Sequence, residues 1–83
     1  MVEVIDEKEL RPIIAANVMR LRKLRGWTQQ DLAERLGVSL VHVNRLEKGH
    51  HTPKGPLLYG LADALGVTTD SLRQVCENFS STG

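Results

Sequence analysis

The stretch from residue 29 to residue 48 constrains this chain more tightly than any other, because it holds a glycine between two apolar patterns at fixed offsets. Gly37 can take positive φ at little cost. Ala33 puts a small side chain where two helices would approach most closely, and Leu32, Leu36, Val38, Val43 and Leu46 fall where a shared core needs apolar groups. Each condition is weak separately. Together they specify two helices crossing steeply through a very short turn, which is helix-turn-helix spacing.

The flanking sequence extends this pattern into five short helices. Pro12 suits the first turn of a helix, so the first helix is expected from there, leaving residues 1–11 as an N-terminal arm. Ile14, Val18, Leu21 and Arg25 follow helical spacing, with Asn17, Arg20 and Lys23 on the polar side and Gly26 as the stop. Thr28 with Asp31 three residues on reads as a capping-box variant opening the second helix, and Ser39 as the cap of the third. Residues 50–55 read as a loop; Pro56 opens a fourth helix with the stripe Leu58, Leu61, Ala62 and Leu65, closed by Gly66. Thr68 or Thr69 caps a fifth, whose stripe is Leu72, Val75, Cys76 and Phe79. The expected fold class is all-α, with the domain at 12–79 and residues 80–83 as a frayed end.

Composition excludes several alternatives. Eighty-three residues make one small core with little surplus stability. A single cysteine, Cys76, forms no internal disulfide and no zinc site of ordinary spacing, and neighbouring His50 and His51 lack further ligands at metal-binding spacing. Ser39 and His42 have no third group or oxyanion feature, and no phosphate-binding glycine loop is present, so neither catalysis nor a cofactor or metal is expected. No apolar run reaches membrane length, and the first seven residues are acidic where a signal peptide would be basic, which makes the cytoplasm the expected location.

Net charge is only +1, but it is unevenly spread. Residues 1–17 carry −2, residues 18–54 carry +5 and residues 55–83 carry −2. A basic middle segment fits a face that meets a polyanion, and fits a solvated charged surface equally well.

Residues 18–72 resemble the Cro and phage-repressor type of helix-turn-helix regulators, the xenobiotic-response-element family. The likeness runs through Leu21-Arg22, residues 27–33, Leu36-Gly37-Val38-Ser39, residues 45–49, Pro53 and residues 61–67. It implies a five-helix, lambda-repressor-like domain that binds double-stranded DNA, usually as a homodimer on a two-fold operator, with the third helix in the major groove. It also implies a structural ion pair between Arg22 and Glu47.

Carried over position by position, the base-facing residues are Leu40, Val41, Asn44 and Arg45, with His42 beside them on the backbone side. Arg45 suits guanine O6 and N7 and Asn44 suits adenine, although a phosphate or water contact is open to both. Leu40 and Val41 depart from the polar residues common in the family; they fit either thymine methyl groups or a protein surface. Candidate phosphate contacts are Thr28, Gln29, Ser39, His42, Lys48, His50 and Lys54, with His51 in the same loop; plain solvent exposure is the alternative for His42 and the loop residues. Val75, Cys76 and Phe79 are the candidate dimer seam, with the intramolecular core as the alternative. The leading reading is a sequence-specific DNA-binding transcriptional regulator, a repressor in the first place and an activator in the second. The alternatives are a helix-turn-helix scaffold used for protein binding and an antitoxin that represses its own promoter.

Overall fold

The computed structural model describes residues 7–75, which form five helices: α1 (Glu7–Leu24), α2 (Gln29–Leu36), α3 (Leu40–Glu47), α4 (Pro56–Leu65) and α5 (Thr69–Leu72). No strand occurs among the described residues. α1 lies against α3, α4 and α5, while α2 packs on α3 and α4. Every helix contributes to one core: Ile14, Val18 and Leu21 from α1, Leu32 and Ala33 from α2, Val43 and Leu46 from α3, Leu61, Ala62 and Leu65 from α4, and Leu72 from α5. Trp27, Leu36, Val38 and Leu58 close its edges. No described helix is long and apolar enough to cross a membrane.

Local chemistry fixes the boundaries. Thr28 caps α2 through a reciprocal box: its hydroxyl accepts the Asp31 N–H at 3.0 Å, and its own N–H donates to Asp31 Oδ2 at 2.9 Å. Gly37 ends α2 at φ 73°, which lets the Val38 N–H return to the Ala33 carbonyl at 3.0 Å. Only two residues later Ser39 starts α3 by accepting the His42 N–H at 3.1 Å. A side chain with a Cβ at position 37 would strain this turn, and the crossing of α2 and α3 depends on it.

The structure departs from the sequence reading at both ends. Residues 7–11, expected in the arm, open α1, and Pro12 sits inside that helix. A proline there removes one backbone hydrogen bond. Leu10 packs on the core edge and Arg11 Nε donates to Thr52 Oγ1 at 3.0 Å, contacts that favour the early start. At the other end α5 stops at Leu72, and Val75 is exposed and outside the helix. Leu72 and Val75 therefore do not share one helix face; Cys76 and Phe79 lie outside the described residues.

Asn17 accounts for the early stop. Expected on the polar side of α1, it is instead only 1% exposed. Its side-chain amide donates to the carbonyls of Leu72 and Gln74, each at 2.7 Å, with Ser71 O at 3.4 Å. An amide from α1 thus serves the carbonyls that a helix end leaves open. Arg25, placed with the inner stripe by spacing, lies beyond the end of α1 and is exposed. Its guanidinium donates back to Leu21 O at 3.2 Å.

Candidate nucleic-acid interface

α3 has two sides with opposite environments. Val43, Leu46 and Glu47 face inward and are buried. Leu40 is 45% exposed and Val41 66% exposed, and Arg45, one turn beyond Val41, is exposed as well. Asn44 lies between the two sides, half-buried. The spacing 40, 41, 44, 45 places these four on one stretch of the helix surface.

A buried network holds that surface in place. Arg22 meets Glu47 through two parallel contacts, Nε to Oε2 at 2.6 Å and Nη2 to Oε1 at 3.1 Å. The Glu47 side chain is 1% exposed and that of Arg22 10%. Both have further partners: Arg22 Nη1 donates to Trp27 O at 2.7 Å, and Gln29 Nε2 donates to Glu47 Oε1 at 2.9 Å. The chain of bonds continues outward, with Asn44 Nδ2 donating to Gln29 Oε1 at 3.4 Å. A buried pair in which every nitrogen of the Arg22 side chain and both oxygens of the Glu47 carboxylate have a partner ties α1, α2 and α3 into one geometry. Trp27 is further clamped from outside by the Arg35 guanidinium, 4.0 Å from its ring centroid.

The expected backbone contacts occupy different situations. Thr28 is exposed at the start of α2, with its hydroxyl engaged in the capping box. Its hydrogen bonds to Asp31, first from the backbone N–H and then with the hydroxyl, hold the Asp31 carboxyl below its ordinary range. Gln29 turns its side chain toward Glu47, leaving its backbone N–H at the helix start. Ser39 is exposed and serves as the α3 cap. Lys48, His50 and Lys54 are exposed along the segment that follows α3, and His42 is half-buried.

Three features lay outside the sequence expectations: the Asn17 cap, the Gln29 bridge between Glu47 and Asn44, and a contact between His42 and His51. The first had a signal. Asn17 stands three residues after Ile14 and four before Leu21, so it lies on the apolar stripe itself. The others join side chains from separate segments and have none.

The comparisons agree with this geometry. The family described as helix-turn-helix matches residues 18–72. An HTH-type transcriptional regulator of Sinorhizobium fredii, y4dJ, is 38% identical over 60 residues, spanning 72% of this chain and 78% of that one. The Bacillus subtilis HTH-type transcriptional regulator YazB is 33% identical over 55 residues, 66% of this chain and 80% of the relative. The crystal structure of a hypothetical transcription factor from Neisseria superposes with a TM-score of 0.79 at 26% identity, covering 100% of this chain and 95% of that one. With its corner at Gly37 and its matched span at 18–72, the chain belongs to the helix-turn-helix family of DNA-binding transcriptional regulators, which is not a family of enzymes.

Proposed function

We propose that this chain is a sequence-specific repressor that binds a two-fold DNA site as a homodimer in the cytoplasm, with α3 in the major groove. The observation that carries this reading is the outward surface of α3: Leu40, Val41 and Arg45 stand in solvent while the opposite side of the same helix is locked to the core. Arg45 pairs with guanine, worth about 1–3 kcal/mol of discrimination, and Leu40 and Val41 pack on thymine methyl groups. Asn44 reads adenine from a position already tethered to Gln29. Phosphates are held at the starts of α2 and α3 by the backbone N–H groups around Thr28, Gln29 and Ser39. Lys48, His50 and Lys54, with His42, follow the strand beyond. The exposed Val75 belongs to the seam between two copies, together with Cys76 and Phe79.

Selection from a pool of randomised duplexes tests this reading. The expected product is a pair of inverted half-sites about 10 base pairs apart, centre to centre, or a multiple of that spacing. A single enriched half-site, with sedimentation as a monomer at high micromolar concentration, contradicts the homodimer. The exposure of Leu40 and Val41 favours a second reading, a scaffold that docks another protein through this apolar pair. That reading predicts no enriched sequence at all.

A further inference from the structure

Beside the outer side of α3 lies a recess of about 340 Å³, lined by Ser39, Val41, His42, Arg45 and His51. At its wall the imidazoles of His42 and His51 meet edge to face, with ring centroids 4.8 Å apart and planes at 82°. His42 Nε2 is buried there without a hydrogen-bond partner. A buried polar atom in that state is costly unless it serves something.

The charges that bear on His51 come from three segments. His51 is pressed by His42 and Arg45 on α3, by Arg11 on α1, and by Lys54 in its own loop. Arg11 is anchored through Thr52, so its charge is held nearby. Burial first, and these cations second, hold His51 below the ordinary histidine range. Such a cluster repels a metal cation and attracts an oxyanion. It also disfavours the His51 imidazolium in the absence of such an anion.

We propose that this recess takes one phosphate oxyanion of the DNA backbone and, with it, one proton on the His42–His51 pair, so that affinity for duplex rises as pH falls. The proposal rests on the DNA-binding reading above and adds a proton to it. A phosphate beside the pair offsets the surrounding positive charge and stabilises an imidazolium. Two rings in contact accept one extra charge far more readily than two. The sign follows from linkage. A group whose pKa is raised on binding favours the complex below that raised value, and the gain disappears as pH climbs through it. Because His51 starts below the usual value of about 6.5, the dependence begins on the acid side of that value and ends at the raised one.

The test combines side-chain NMR of His42 and His51 with duplex titrations. Both rings are followed against pH in the free chain, with a duplex of about 20 base pairs, and with inorganic phosphate alone. The expected result is a rise in the pair's titration midpoint with duplex and none with inorganic phosphate. Affinity should fall by up to about tenfold per pH unit across the window. His51→Gln, and independently His42→Gln, should flatten that slope. Duplex binding with unmoved midpoints, or with the same slope in both variants, overturns the proton site while leaving the DNA reading intact. An equal rise with inorganic phosphate assigns the recess to a free anion and overturns its role on the duplex. Failure to bind duplex at any pH overturns both.

Discussion

The two sides of α3 are separated by only a few ångströms of backbone, yet they follow different rules. On the inner side Val43 and Leu46 fill the core and Glu47 gives both carboxylate oxygens to Arg22 and Gln29. On the outer side Leu40, Val41 and Arg45 are exposed. Substitution on the inner side should therefore cost stability, and substitution on the outer side should cost recognition with stability nearly unchanged. The difference shows how so small a domain can hold an exposed helix surface rigid. Its order comes from the buried side, where Val43, Leu46 and Glu47 are held.

The largest expected effect lies at the buried ion pair. Glu47→Ala leaves the Arg22 guanidinium buried without its partner and should cost about 3–5 kcal/mol in urea unfolding. Replacing both partners with apolar residues of similar volume should recover much of that loss, because no charge is then stranded. Equal losses in the single and double variants would show that packing, not the charge pair, governs the inner side. Next comes Asn17→Ala, which orphans the carbonyls of Leu72 and Gln74 and should cost about 1–3 kcal/mol. Amide hydrogen exchange should then rise in α5 before it rises in α2.

A smaller loss is expected for Thr28→Ala, about 1 kcal/mol for removal of a helix cap. This difference should depend on pH. The Asp31 carboxyl has a depressed pKa in the folded chain, so its share of the box is complete above the unfolded carboxylate value. That share is lost as pH falls through the folded value, on the acid side of about pH 4. Thermal unfolding of both forms at neutral and strongly acid pH measures it. Smallest of all is Val41→Ser, which should shift unfolding by less than about 0.5 kcal/mol. A larger shift would mean that the outer side also supports the fold.

Much of this architecture was legible in the chain itself. The α2–α3 corner announces itself because its requirements are local: a cap at Thr28, a left-handed residue at Gly37, a cap at Ser39 and apolar residues at fixed offsets between them. The ends were less legible because their boundaries depend on partners distant in sequence. Pro12 looked like a helix start, but Leu10 and Arg11 find contacts that carry α1 back to Glu7. The apolar stripe from Leu72 onward looked like a long fifth helix, but Asn17 draws the chain out of helical geometry after Leu72. The exposed positions of α3 were readable as a surface. The His42–His51 contact was not, since it needs the loop after α3 to fold back on the helix.

The central claim, that the solvent side of α3 reads DNA, is tested most directly by fluorescence titration of a selected duplex with the natural chain and with Arg45→Ala at 50 and 200 mM salt. The account predicts that the natural chain binds more weakly at the higher salt by orders of magnitude. It also predicts that Arg45→Ala loses roughly 5- to 150-fold in affinity while unfolding as the natural chain does. Salt-independent binding, or equal affinity in the folded variant, would contradict it.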